Sequence, residues 1–125
     1  MKVLDAGVVV ELLIGGIEPD RIGAVTYAAP HLIDSEVTNA FRNLVTRELL
    51  TPDEGGAAMA GFIRLHLTRY SAAPLRARMW ELRDNLSAYD ATYVALAETI
   101  GATALVTTDA RLAAAPGVAC AIDLL

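Results

Sequence analysis

Residues 86–112 constrain the fold more than any other part of the chain. Ser87 is a favoured helix N-cap residue, and an apolar, helix-compatible stretch over residues 88–100 follows it. Gly101 stands where a helix commonly ends in the left-handed conformation. The apolar run over residues 104–106 then predicts a short strand that is buried on both faces, as in a parallel sheet.

Each of the two acids in this segment admits two interpretations. Asp109 follows the predicted strand, where open α/β sheets place their ligand sites, but it is equally placed to cap a short helix over residues 110–115. The helical spacing directs Asp90 away from the polar residues Thr92 and Thr99, which predicts that Asp90 faces inward. An inward carboxylate is costly unless it is paired or binds a metal. Asp90 also suits a capping box with the N-cap serine, so both interpretations stay open.

The N-terminal residues predict a second strand that ends in an acid. Residues 2–5 are interpreted as a strand, and residues 8–14 as a helix that starts at an Asp5 N-cap and stops at Gly15-Gly16. Asp5 is therefore either a cap or a ligand at the carboxyl end of a strand. Residues 20–28 predict a short helix before Pro30 interrupts it.

The middle of the chain predicts an αα-hairpin. An amphipathic helix runs from Ile33 to Glu48, and a second helix starts at a Thr51 N-cap with Pro52 in its first position. Glu36 lies at the edge of the first helix's apolar stripe. It also lies in the first turn, where the helix dipole stabilises an acid. His31, which has no second histidine nearby, is interpreted as a packed or surface residue.

The remaining segments complete an α/β pattern. Residues 67–70 and 118–122 predict strands, and residues 74–83 predict a helix whose arginines form a solvated face. The order of strands and helices predicts one α/β domain over residues 1–125, with a short, mostly parallel sheet flanked by helices. In such a sheet the four acids meet at one edge: Asp5, Glu36, Asp90 and Asp109.

Four converging carboxylates point to a divalent cation. A pair about 4 Å apart repels by roughly 4 kcal/mol at an effective dielectric of about 20. Oxygen ligands favour Mg²⁺ or Mn²⁺ over zinc, and such an ion can activate water for displacement at a phosphodiester.

Composition limits the classes of function. With 10 basic and 15 acidic residues the net charge is −5, which argues against a general electrostatic nucleic-acid binder but leaves a metal-dependent nuclease open. A single cysteine excludes an internal disulfide and a cysteine zinc site. We expect a cytoplasmic protein, because the sequence has neither a signal peptide nor an apolar run of roughly 18 residues. A mean hydropathy of +0.42 suggests that apolar surface meets a partner.

Three stretches, VLDAGVVVELL, HLIDSEVTNAFRNLV and LSAYDATYVALAETIGATALVTTDARLA, carry a family resemblance. The chain resembles PIN domains, and specifically the VapC-type toxins of bacterial type II toxin–antitoxin pairs. The resemblance implies a PIN-like fold and a Mg²⁺-dependent ribonuclease that is usually a homodimer and is inhibited by a cognate VapB-type antitoxin. One departure is Gly7, which stands where many relatives carry Ser or Thr.

The sequence therefore predicts a metal-dependent endoribonuclease. We expect Asp5 and Asp90 to be the first metal ligands and Glu36 and Asp109 to complete the pocket. The resemblance matches Thr107 and Thr108 to the polar pair that flanks the last acid. Two alternatives stay open: a non-catalytic RNA- or protein-binding module, and a phospho-acceptor receiver domain. The receiver would need a lysine at a late strand end, and Lys2 is the only lysine in the chain.

Overall fold

The computed structural model describes residues 1–23 and 25–125, and within these residues it shows a five-stranded parallel sheet. The strands are β1 (Lys2–Leu4), β2 (Tyr27–Pro30), β3 (Thr68–Tyr70), β4 (Ala104–Thr107) and β5 (Ile122–Leu124). They are arranged in the order β3-β2-β1-β4-β5, and all four neighbouring pairs are parallel. The predicted α/β fold with a short parallel sheet is confirmed.

The two central strands, β1 and β4, bring their carboxyl ends side by side. Leu4 pairs with Val106, and the backbone N–H of Asp5 donates to the Val106 carbonyl at 3.0 Å. All four residues of β4 are buried, as expected for a parallel strand that is covered on both faces. The residue that follows β1 therefore lies next to the last residue of β4.

The helices pack in two groups. Their bounds are α1 (Ala6–Ile14), α2 (Leu32–Thr46), α3 (Pro52–Arg64), α4 (Arg76–Glu81), α5 (Ala88–Thr99) and α6 (Ala110–Ala113). Helices α1, α2 and α3 contact one another, whereas α5 contacts α4, β1 and β2. The contact between α2 and α3 confirms the predicted αα-hairpin. None of the described helices is long and apolar enough to cross a membrane.

The helix ends follow the residue types that predicted them. Thr51 and Glu54 form a complete capping box at the start of α3, with reciprocal bonds of 2.9 and 3.1 Å. At the start of α5, the Ser87 hydroxyl accepts from the Asp90 backbone N–H at 3.1 Å. Gly15 caps the end of α1 with a φ of +88°, and Gly101 follows the C-cap of α5 with a φ of +62°. Both values lie in the left-handed region, which favours glycine.

The predicted orientation of α5 is wrong in one respect. Thr92, which was expected to mark the outer face, is only 3% exposed, and its hydroxyl donates to the Ala88 carbonyl at 2.7 Å. Seven consecutive residues of α5, from Ala91 to Ala97, are buried. Because this helix is covered on nearly all sides, its polar residues do not mark a solvent-facing side, and Asp90 at its start is only partly buried.

Other sequence predictions fail at short or edge elements. Residues 20–28 do not form the predicted helix where they are described: Pro19–Arg21 is a 3₁₀ turn, β2 begins at Tyr27, and Ala24 lies outside the described residues. Since β2 has only four residues and ends in proline, it has no periodicity to detect. The predicted helix over residues 74–83 is a 3₁₀ turn at Ala73–Leu75 followed by α4, and α6 ends at Ala113 rather than at residue 115.

The last strand lies further along the chain than predicted. The sequence placed it at residues 118–122, but β5 is Ile122–Leu124, with Ile122 opposite Leu105. Residues before it are held by α4 and α5 instead: the Ala119 N–H donates to Glu98 at 2.8 Å, and the Gly117 carbonyl accepts from Arg78 at 2.7 Å. These side-chain bonds could not be read from the apolar pattern.

Candidate active site

Four acidic side chains lie at the carboxyl edge of the sheet, and we call them the acidic pocket: Asp5, Glu36, Asp90 and Asp109. Asp5 follows β1, Asp109 follows β4, and Glu36 and Asp90 stand near the starts of α2 and α5. The charges of Asp5, Asp90 and Asp109 each raise the pKa of at least one other acid of the pocket. A cavity of about 260 Å³ opens beside Asp90 and Asp109. The four predicted acids therefore share one edge of the sheet.

Asp5 is the most deeply placed of the four acids. It takes the N-cap position of α1, and its Oδ2 accepts a 2.7 Å hydrogen bond from the Thr107 hydroxyl. Burial raises the pKa of Asp5, and the negative charge of Asp109 adds to this effect, whereas the bond from Thr107 opposes it. Its carboxylate is thus held in one position at an electrostatic cost.

Thr107 links two members of the acidic pocket. This residue is completely buried at the end of β4, where its hydroxyl donates to Asp5 and accepts from the Asp109 backbone N–H at 3.0 Å. The single hydroxyl therefore fixes both an acid side chain and the turn that carries another acid. Thr108 stands opposite Gly7, where an added Cβ would lie 3.2 Å from its Oγ1. The absence of a side chain at Gly7 leaves room for the Thr108 hydroxyl.

Tyr93 positions Glu36, and the sequence reasoning missed it. The phenol of Tyr93 is 1% exposed and donates a 2.7 Å hydrogen bond to Glu36 Oε1. Partial burial raises the pKa of Glu36, and the charges of Asp5 and Asp90 raise it further, against the bond from Tyr93. Burial and the adjacent carboxylate raise the pKa of Tyr93 itself, so the phenol remains a donor. The available signal was spacing, since Tyr93 lies one turn after Asp90 and shares its side of the helix.

Asp90 is half-buried at the mouth of the cavity. Its pKa is raised first by burial and then by the charges of Asp5 and Asp109, while Arg111 lowers it. The backbone N–H of Asp90 donates to the Ser87 hydroxyl, which is one of the two bonds of the predicted capping box. The carboxylate itself faces the other acids closely enough for their charges to matter.

Asp109 is confirmed as a helix cap. Its Oδ1 accepts from the backbone N–H groups of Arg111 and Leu112 at 2.9 and 3.4 Å, at the start of α6. The Arg111 guanidinium lies 3.8 Å from the same oxygen but is 96% exposed, so this ion pair is weak. Capping and membership of the acidic pocket are compatible, because the charge of Asp109 still raises the pKa of Asp5 and of Asp90.

The environment of Arg78 differs from the sequence prediction, whereas that of His31 agrees with it. Arg78 was assigned to a solvated face, but it donates to both carboxylate oxygens of Glu98, at 2.7 and 3.1 Å, and lowers the pKa of that acid. This ion pair joins α4 to α5. His31 is exposed, as one of its two interpretations allowed.

The receiver alternative fails on the position of Lys2. Its Nζ donates to the Ile22 carbonyl at 2.8 Å and lies 3.5 Å from Asp123. Lys2 also begins β1, whereas Asp5 follows the end of this strand, so the only lysine of the chain is not available to the acidic pocket.

The donor chemistry of the acidic pocket fits a hard divalent cation, although the side chains are not gathered around one. Within residues 1–23 and 25–125, no group of three or more His, Cys, Asp or Glu side chains is arranged so that it could hold a metal ion. The raised pKa values of Asp5, Glu36 and Asp90 nevertheless reflect burial and repulsion between carboxylates. A divalent cation bound between their oxygens would remove this repulsion.

Comparisons with known proteins identify the family. Ribonuclease VapC9 of Mycobacterium tuberculosis is 41% identical over 126 residues, which cover 100% of this chain and 98% of that protein. The chain belongs to the VapC ribonuclease family. Ribonuclease VapC12 of the same organism is 36% identical over 129 residues, covering 100% of this chain and 99% of the relative. No protein-family model matches the chain.

A solved structure confirms the VapC fold. The crystal structure of VapC20 from Mycobacterium tuberculosis, a toxin that cleaves the sarcin–ricin loop, superposes with a TM-score of 0.68. The match covers 95% of this chain and 97% of VapC20 at 17% identity. At this identity the likeness concerns the VapC fold, and the PIN-like architecture predicted from the sequence is confirmed.

Proposed function

We propose that this chain is a toxic endoribonuclease that hydrolyses RNA at the acidic pocket with Mg²⁺ or Mn²⁺. The observation that carries the proposal is the raised pKa of three carboxylates, Asp5, Glu36 and Asp90, at one edge of the sheet. Burial and like charge both destabilise this arrangement, and a structural role alone does not require it. Membership of a ribonuclease family supports RNA as the substrate.

Each residue of the acidic pocket has a defined task in this proposal. Asp5 and Asp90 would hold the cation, and Glu36 and Asp109 would complete its surroundings directly or through water. When bound, a divalent cation supplies positive charge at the phosphate and a water of lowered pKa. Glu36, oriented by Tyr93 and with its pKa raised, is placed to accept a proton from the attacking water. Thr107 prevents Asp5 from rotating away.

A metal titration tests the proposal. Purified protein should cleave RNA with Mg²⁺ or Mn²⁺, lose this activity in EDTA, and regain it when Mn²⁺ is restored. Calorimetric titration of Mn²⁺ gives a second readout that does not depend on cleavage, and Asp53→Asn, at an exposed acid of α3, is the matched control. Cleavage that persists in EDTA would refute the metal, and a protein that binds RNA but never cleaves it would be a binding module.

We also propose a VapB-type antitoxin as the partner. Its supporting feature is an apolar groove of about 370 Å³ between α2 and α3, whose walls include Phe41, Val45 and Met59. A disordered antitoxin segment that folds into such a groove gains contact area at an entropic cost. An Arg from the same segment can bridge two carboxylates of the acidic pocket when no metal is bound. Co-expression with the neighbouring gene should give a co-purifying pair and restore growth; if neither occurs, the antitoxin assignment is wrong.

The homodimer remains a proposal, and one reason for expecting it is weakened. Helix α3 is rich in small residues, which permit close packing against another element or another subunit. A Cβ at Gly55 or Gly61 would instead meet Val45 or Leu13 within the same chain, at 2.6 and 3.1 Å. The remaining support is exposed apolar surface such as Ile63, which is 78% exposed. Light scattering at micromolar concentration should give twice the monomer mass, and a monomer would refute the dimer.

A further inference from the structure

A second groove adjoins the acidic pocket, between α4 and the start of α5. Its volume is about 470 Å³, within the ~300–1,000 Å³ range of ligand sites. Its walls include Arg76, Met79, Trp80, Arg83, Leu86 and Ser87. We call it the Trp80 groove. Two of its lining residues, Leu86 and Ser87, also line the cavity beside Asp90 and Asp109, so the two depressions share a wall.

We propose that the Trp80 groove binds an unpaired nucleotide of the RNA, next to the bond that is cut. This inference rests on the proposed ribonuclease function and adds a subsite to it. The occupant is a single-stranded nucleotide because the groove combines an accessible aromatic ring with cations. Every base has a face that stacks on an aromatic side chain, and arginines contact the flanking phosphates.

The indole of Trp80 is unusually available for stacking. It is 68% exposed, although tryptophan is normally among the more buried side chains. The Arg83 guanidinium lies 4.6 Å from the ring centroid, and its Nη1 donates to the Trp80 carbonyl at 3.0 Å. This bond holds the arginine over one face of the ring, so a base can stack on the opposite face of the indole or on the guanidinium plane.

The charges around the groove favour an anionic occupant. Among the described residues, Arg76 and Arg83 form no ion pair, whereas Arg78 on the same helix is neutralised by Glu98 and Glu81. Arg76 is held by a 3.0 Å bond from its Nε to the Ala73 carbonyl. What distinguishes Arg76 and Arg83 is that both line the groove that holds Trp80, where they complement phosphates on either side of a stacked base.

The position of the groove suits a substrate that extends across the acidic pocket. Leu86 and Ser87 line both depressions, so an RNA chain that passes over these two residues reaches Asp90 from the groove. A base held on Trp80 would thereby fix which phosphate faces the carboxylates. The groove would affect substrate binding and the site of cleavage more than the chemical step, because Trp80 does not belong to the acidic pocket.

Tryptophan fluorescence gives a specific test, since Trp80 is the only tryptophan of the chain. A single-stranded oligoadenylate of roughly a dozen nucleotides, added in EDTA so that it is not consumed, should quench the emission. A duplex RNA of the same length should quench it far less. Trp80→Ala should weaken binding of the single strand, measured by anisotropy, about tenfold, and Trp80→Phe should retain most of the affinity.

Kinetics and a matched control complete the test. In Mn²⁺, Trp80→Ala should raise KM about tenfold while kcat changes little, and Leu49→Ala, which removes another exposed apolar side chain, should leave both unchanged. Arg76→Ala should reduce the salt dependence of RNA binding. Because Trp80 is largely exposed, its replacement should not unfold the protein.

Different results would overturn different claims. Unquenched emission together with an unchanged KM in Trp80→Ala would overturn the Trp80 groove as an RNA site and leave the ribonuclease proposal intact. Emission that instead changes with protein concentration in the absence of RNA would assign the groove to an interface between copies of this chain, which also overturns it. Quenching by RNA that is never cleaved would support the groove and refute the proposed activity.

Discussion

Removal of one hydroxyl, by Tyr93→Phe, is expected to impair cleavage while the fold survives. The phenol donates a 2.7 Å hydrogen bond to Glu36 Oε1, and the ring is buried within α5. Phenylalanine retains the ring and its packing but leaves Glu36 free to rotate. In the ribonuclease proposed above, Glu36 then no longer occupies a fixed position in the acidic pocket.

The structure sets the expected size of this effect. A hydrogen bond to a charged group contributes about 1.5–3 kcal/mol, but Glu36 is only partly buried and water can replace the phenol. We therefore expect a loss of about 1 kcal/mol, or roughly 4 °C in Tm for a chain of this length. Loss of an outer-shell partner typically costs about 10–100-fold in metal affinity or activity, so cleavage should fall much more than stability does.

The effect on activity should depend on pH in a defined direction. The Tyr93 bond lowers the pKa of Glu36, against burial and neighbouring charge, so its removal raises that pKa further. At lower pH a smaller fraction of Glu36 is then ionised, so the deficit of Tyr93→Phe should grow as the pH is lowered toward the carboxyl range. Higher Mn²⁺ concentrations should restore part of the rate.

The assay is the rate of RNA cleavage against Mn²⁺ concentration at several pH values, with thermal unfolding measured in parallel. Tyr27→Phe is the matched control. Tyr27 is the first residue of β2, and its hydroxyl donates a bond of the same 2.7 Å length to the Gly23 carbonyl, away from the acidic pocket. If Tyr93→Phe cleaves RNA at the wild-type rate across this pH range, the positioning role of Tyr93 is refuted.

Three further predictions concern stability and the neighbourhood of the acidic pocket. In EDTA, calorimetry should show stability rising as the pH falls toward the ordinary carboxyl range at about pH 4, because Asp5, Glu36 and Asp90 have raised pKa values in the folded state and take up protons before the unfolded chain does. At still lower pH, stability should be lost as Asp34 and Glu98, whose ion pairs lower their pKa values, become protonated. Thr107→Val should destabilise the protein by about 1–3 kcal/mol in denaturant unfolding, since it leaves two partly buried polar groups without this partner. Thr107→Ser keeps the hydroxyl and should cost only about 1 kcal/mol, for the lost buried methyl group. Gly7→Ser should fold, with Thr108 shifting slightly from the 3.2 Å contact, and should cleave RNA faster than the wild type. An unchanged rate would show that a hydroxyl at this position does not assist cleavage.

The sequence predicted those parts of the fold that depend on strong local signals. The strands β1 and β4 were predicted from apolar runs next to caps, and the hairpin of α2 and α3 from periodicity and the Thr51 cap. Residues after parallel strands meet at one edge whatever the details of the sheet, so Asp5 and Asp109 were placed together without coordinates.

The missed features depend on contacts between distant residues. The strand β2 is too short to show a pattern and is identified by its pairing with β1 and β3. The bond from Tyr93 to Glu36 spans 57 positions, and that from Arg78 to Glu98 joins separate helices. Neither residue type signals its partner, because tyrosine in a buried helix and arginine on an exposed one each have an ordinary packing explanation.

The most direct test of the central claim compares single-turnover cleavage of one RNA by Asp90→Asn and Asp53→Asn in saturating Mn²⁺. Each replaces a carboxylate near the start of a helix by an amide of the same shape, but only Asp90 belongs to the acidic pocket. We expect Asp90→Asn to remain folded, with an unchanged or higher Tm in EDTA because like-charge repulsion is relieved, and to lose cleavage, while Asp53→Asn cleaves normally. Wild-type cleavage by correctly folded Asp90→Asn would contradict the assignment of the acidic pocket as the site of RNA hydrolysis.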